Sequence, residues 1–150
     1  MCLNLNKRMT QIENRLGITF SGASSLNAKE LSIVNLEYTM ATFHGVEITY
    51  PSSGIAGKKD KNNQYIEIES IKLKDKSREY DSYYRIGVEF VGTQGYSNSM
   101  RFLVKQFDSD GFCVMENSLY FKTIKGERVK ASSDFTLHDS ARRVTIEISQ

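Results

Sequence analysis

The stretch Ser82-Tyr83-Tyr84-Arg85-Ile86-Gly87-Val88-Glu89-Phe90-Val91 alternates in character, with Tyr84, Ile86, Val88 and Phe90 on one face and Tyr83, Arg85, Gly87 and Glu89 on the other. A period of two is that of a strand with one face buried and the other in water. The same pattern recurs on both sides of it. Gln64 to Lys74 places Ile66 and Ile68, then Ile71 and Leu73, on alternate positions. The phase slips by one at Ser70, which predicts a bulge there. Val46, Ile48 and Tyr50 alternate with Glu47 and Thr49 up to Pro51, the only proline. Near the end, Val144, Ile146 and Ile148 alternate with Thr145 and Glu147, and Phe112 to Gln150 is strand-like apart from a short turn at Lys125-Gly126-Glu127. Half-buried antiparallel strands account for all of these.

Two segments break the pattern. Thr10 to Arg15 suits one helical turn, and Ser97 to Phe107 sets Met100, Leu103, Val104 and Phe107 at helical spacing behind Ser97 or Ser99 as an N-cap. Pro51 to Gly54 and Gly57 to Asn63 read as a polar loop, and Lys74 to Asp81 as a charged hairpin connection. The expected fold is mainly β, a small antiparallel β-barrel with one short helix, since closure removes exposed edges. Its expected core includes Ile48, Ile68, Ile86, Val88, Phe90, Leu103 and Phe107.

With 150 residues, the chain lies in the usual range of one domain and should bury roughly 68–70% of its unfolded surface without staples. Lys and Arg number 20 and Asp and Glu 18, a net charge of +2, which gives no argument for DNA, RNA or an anionic membrane as partner. Cys2 and Cys113 are too few for a metal site and are expected as free thiols in a reducing compartment. No window approaches the length of a membrane-spanning apolar helix, and the first twenty residues lack a continuous apolar signal region. These readings together predict a cytoplasmic protein with no transmembrane segment.

Enzyme templates find no support. Gly54-Ile-Ala-Gly57-Lys58-Lys59 has the wrong glycine spacing for a phosphate loop, and no nucleophile-elbow motif occurs. His44 and His138 lie in separate strand-like segments, and His44 beside Gly45 reads as a turn residue. Glu67 and Glu69 share a solvated strand face. Lys58, Lys59 and Lys61 read as a solvated loop, and Arg142 and Arg143 as guards of a strand edge. The expectation is therefore a non-enzymatic chain that requires no metal and no cofactor.

Tyr84-Arg85-Ile86-Gly87-Val88-Glu89-Phe90 resembles the Y-x-x-G-V-x-F strand of PilZ domains. Ile66 to Lys74 looks like the strand before it, Ser97 to Phe107 like the helix that caps the barrel, and Thr42 to Ile48 like the end of the family's (D/N)-x-S-x-x-G turn. The resemblance covers residues 7 to 107 and implies a PilZ-like barrel with capping helix over 1–107, followed by a strand-rich extension over 108–150. PilZ domains are receptors for cyclic di-GMP, gripped by an R-x-x-x-R segment and that turn. On this chain the resemblance points to Gln11 and Arg15, with Arg8 nearby and out of register, and to Thr42 and Gly45. Gln11 stands where the first arginine would be, and Met40 where Asp or Asn would be. A charge-assisted hydrogen bond contributes about 1.5–3 kcal/mol, so losing two weakens a micromolar ligand towards millimolar. What the resemblance implies is a degenerate member with weak or no cyclic di-GMP binding, acting through a protein partner in bacterial motility or envelope regulation. A working cyclic di-GMP receptor and an unrelated β-barrel interaction protein are the alternatives.

Overall fold

The computed structural model describes residues 33–58 and 64–149. Eight strands follow in order: β1 (Ile33–Phe43), β2 (Val46–Lys58), β3 (Gln64–Asp75), β4 (Arg85–Gln94), β5 (Ser99–Phe107), β6 (Cys113–Lys122), β7 (Arg128–Thr136) and β8 (Arg143–Ser149). They form one sheet in the order β6-β5-β8-β2-β3-β4-β7, with β1 on β2. The sheet curls until β6 and β7 lie side by side, giving a nearly closed barrel. The chain is mainly β, and no helix occurs among the described residues. The expected turn at Thr10 to Arg15 lies outside them.

Closure depends on a bend in β2. Strand β1 pairs with β2 from Phe43↔Val46 to Ile33↔Gly57 and so occupies one whole edge. β8 and β3 therefore share the opposite edge, β8 at Glu47–Thr49 and β3 at Gly54–Lys58. Between these two stretches the β1–β2 register slips at Glu37/Tyr38, beside Pro51. Gly54 completes the bend with φ +128, where a Cβ would lie 2.0 Å from the Asn35 carbonyl oxygen. Only glycine fits there. The expected loop beginning at Pro51 is thus strand as far as Lys58. The β2–β8 pairing is parallel, so the barrel is not wholly antiparallel as expected. The expected bulge is present, as a register shift between Ile68 and Ser70 against β4.

Ser97 to Phe107 is not a helix. Ser99–Phe107 is β5, laddered to β6 on one edge and β8 on the other. Alternation sends Met100, Phe102, Val104 and Gln106 inward, all buried. Helical spacing had placed Phe102 off the apolar face, yet its ring packs at 6.4 Å from Phe90 and 5.3 Å from Phe121. Two ladders and a deeply buried ring outweigh the propensity of a nine-residue segment. Leu103 is only half-buried and Phe107 is buried on the outward face, under the Arg143 guanidinium at 4.2 Å. Phe107 lies outside the main cluster and Leu103 is the one expected core residue that is not buried, whereas Ile48, Ile68, Ile86, Val88 and Phe90 belong to that cluster as expected. Each such side chain contributes about 1.5–3 kcal/mol on burial.

Residues 108–149, expected as an extension, supply β6, β7 and β8, and β8 lies between β5 and β2 in the sheet. Cys113 is disulfide-bonded, where a free thiol was expected. Cys2, the only other cysteine, lies outside the described residues.

Candidate functional site

The ladder registers bring four connections to one end of the barrel. Phe43↔Val46 closes the β1–β2 turn, Asp75↔Ile86 opens the β3–β4 connection, Phe107↔Cys113 flanks the β5–β6 turn, and Arg85↔Thr136 and Phe107↔Arg143 flank the β7–β8 connection. These connections carry exposed aromatic side chains: Tyr80 (77%), Tyr83 (57%), Tyr84 (52%) and Phe112 (64%). An exposed ring forgoes its burial energy, so four at one end form a surface available for contact.

The rings stand on a hydrogen-bonded base. His44 and Gly45 form the two-residue β1–β2 turn with φ +51 and +78, positive at both positions as a type I′ hairpin requires. That turn projects the His44 ring onto Tyr84, stacked at 3.6 Å and 6°. His44 Nε2 lies 2.7 Å from Asp75 Oδ2, and the Ser77 N–H donates to Asp75 Oδ1 at 2.9 Å. These contacts, the Ser77 hydrogen bonds first and then His44, hold the Asp75 carboxyl below its ordinary range. The Arg85 N–H donates to Ser77 Oγ at 2.8 Å, and the Leu137 N–H to the Tyr84 carbonyl at 2.8 Å. Buried Gln106 ties the β7–β8 connection from within, donating to the Thr136 carbonyl and accepting from the His138 N–H, both at 2.8 Å. Further out, Asp81 accepts from the Arg78 N–H at 3.0 Å, and the Arg78 guanidinium sits 5.0 Å over Tyr80. The Arg78 N–H is the largest influence keeping the Asp81 carboxyl low.

Among the described residues no hydroxyl is bonded to the imidazole of the His44–Asp75 pair as the nucleophile of a hydrolytic triad would be. Ser77, the nearest hydroxyl in this network, is bonded to Asp75 and Arg85 rather than to the imidazole. Among the described residues no group of three His, Cys, Asp or Glu side chains could hold a metal ion. Lys105 is buried on the outward face of β5, its Nζ 3.6 Å from Glu116 on β6, an ion pair between neighbouring strands.

Of the residues expected at a ligand site, Thr42 is exposed in β1 opposite Glu47, and Gly45 is exposed in the turn. They stand on either side of His44. Arg8, Gln11 and Arg15 lie outside the described residues, as do Lys7, Lys59 and Lys61. Met40, at the family's Asp or Asn position, is 60% exposed in β1. The aromatic end itself has no motif. Its one sequence signal is rings beside turn residues, in Tyr80-Asp81-Ser82 and Asp110-Gly111-Phe112.

No helix among the described residues is long and apolar enough to cross a membrane. Comparison of the chain with family models, curated proteins and solved structures finds no match, so the likeness to PilZ domains rests on the residues quoted for it.

Proposed function

We propose that this chain is a non-enzymatic adaptor that engages a protein partner through the aromatic end of its barrel. The observation that carries the reading is the gathering of Tyr80, Tyr83, Tyr84 and Phe112, each more than half exposed, at the one end where four connections meet. Tyrosine and arginine dominate the residues that carry protein–protein binding energy, because a rigid amphipathic ring buries much area at little entropy cost. Here Arg78 lies against Tyr80, and His44 fixes the plane of Tyr84. The surface is thus held in place before a partner arrives.

The PilZ-like reading places such an adaptor in bacterial motility or envelope signalling, with weak or no cyclic di-GMP binding. Weak binding is supported by the described side of the turn, where the Asp75 carboxylate lies beside His44 and would repel a phosphate. The cytoplasmic assignment belongs to this reading, and the disulfide at Cys113 speaks against it. Calorimetry with cyclic di-GMP tests the ligand question. A flat titration is expected, whereas micromolar binding abolished by Arg15→Ala would make the chain a nucleotide receptor instead.

A further inference from the structure

We propose that residues 1–32 run as a strap over the outer face of β5 and β8, fastened at the aromatic end by a disulfide between Cys2 and Cys113. Outward side chains of a barrel ordinarily meet water, and lysine is almost never fully buried unless paired. Yet on the outward face of β5 the Lys105 side chain is only 2% exposed. Thr145, its ladder partner on β8, is 3% exposed, and its hydroxyl oxygen is shut off from water. Every broad strand-to-strand contact is either a ladder or the β6–β7 seam, so no strand among the described residues lies over this face. Lys105, Glu116 and Glu147 each have an interaction beyond the Lys105–Glu116 pair. All three stand on the covered face, Glu116 opposite Lys105 and Glu147 opposite Leu103.

The cover comes from the beginning of the chain. Cys113 is disulfide-bonded and Cys2 is the only other cysteine, so within one chain Cys113 has no other partner. Cys113 pairs with Phe107 beside the covered face, at the aromatic end. β1 begins with Ile33 at the opposite end, because Phe43 closes the aromatic-end turn. A chain fixed at Cys113 that must reach Ile33 therefore runs the length of the barrel. In sheet order the way from β6 to β1 crosses β5, β8 and β2, and Lys105 and Thr145 lie under that route. Fully extended, Cys2 to Ile33 reaches about 100 Å, about three times the length of the 11-residue β1, so the strap has length to spare. Charge agrees too. Lys7, Arg8 and Arg15 follow Cys2 closely, and the face offers them Glu116 and Glu147.

The strap is held at both ends, by the disulfide and by the peptide chain entering β1. A dithiol reductant, closing to its own disulfide, returns both sulfurs to thiols and frees one end. The cover over Lys105 is thereby tied to the oxidation state of Cys113.

Digestion of the full chain without reductant, read by mass spectrometry, tests the fastening. The Cys2 peptide should be joined to the Cys113 peptide in material that runs as a monomer on a non-reducing gel. Free thiols, or a link between two copies, would overturn it. Brief labelling with an amine-reactive ester tests the cover. Lys105 should be spared in the oxidised parent while exposed Lys122 reacts. Cys2→Ser should raise Lys105 labelling several-fold, with the β5 amides still protected from hydrogen exchange because the barrel is intact. If that variant does not fold, the parent labelled just after dithiol treatment gives the same reading. Lys105 labelled as fast as Lys122 in the oxidised parent would overturn the strap. So would Lys105 still spared once the disulfide is open.

Discussion

The two ends of the barrel are each tied from within by a buried glutamine, Gln94 at one and Gln106 at the other, and differ in what stands outside it. At the end holding the β4–β5 and β6–β7 connections, polar groups turn inward. Gln94 is fully buried, and its Nε2 lies 2.8 Å from the Ser97 carbonyl and 2.7 Å from Thr123 Oγ1. Its backbone carbonyl accepts from Gly126 at 2.8 Å. At the other end the polar bonds form a base and the rings stand on top of it, in water. Both ends close the barrel with inward polar contacts, and the aromatic end adds an outer network that holds His44 and Tyr84 in place. The difference teaches that the same kind of polar bond can seal a barrel end from within or fix a ring that stands in water.

The largest effect lies between the ends. Phe102→Ala removes a fully buried ring from the Phe90–Phe102–Phe121 cluster and should cost about 3–5 kcal/mol in denaturant unfolding. A cost below about 1 kcal/mol would mean the barrel interior is not packed as described. Gln94→Ala should cost about 1–3 kcal/mol, because Ser97 and Thr123 lose a buried partner. Tyr83→Ala at the aromatic end should stay within about 0.5 kcal/mol, as an exposed substitution does. Equal costs at the two positions would break the contrast between the ends.

A smaller effect depends on pH. The Asp75 carboxyl is held below its ordinary 3.8, so its stabilisation is present above that value and is lost as pH falls through the folded one. Asp75→Asn should therefore be less stable than the parent at neutral pH, by less than about 1 kcal/mol for so exposed a pair. The two curves should converge in acid. A gap that widens there would contradict the His44–Asp75 base. Alkylation without reductant should leave Cys113 unmodified, and rapid modification would restore the free thiol expected from composition.

How much of this was legible depends on how differently each strand's two faces are treated. β4 and β8 alternate apolar with polar or small residues in sequence, Ile86, Val88 and Phe90 in one and Val144, Ile146 and Ile148 in the other, so their period was plain, and the slip at Ser70 exposed the bulge. From Phe102 onward β5 is apolar or buried on both sides, with Phe102, Leu103 and Val104 in succession and Lys105 and Phe107 buried on the outer face. Its period of two is blurred, and helical spacing then fits by coincidence. β1 fails for the opposite reason, since residues on both of its faces are exposed. The base of the aromatic end joins His44 to Asp75 across 31 positions. Only the register of three successive strands brings them together, and no local pattern encodes it.

The most direct test of the account is paired capture with the intact chain and with the Tyr80→Ala, Tyr83→Ala, Tyr84→Ala triple variant, read by cross-linking mass spectrometry. The account predicts a protein retained by the parent, cross-linked within residues 76–84 and 108–112, and lost from a variant whose unfolding midpoint is unchanged. Retention of the same protein by the folded variant, with cross-links elsewhere, would contradict it.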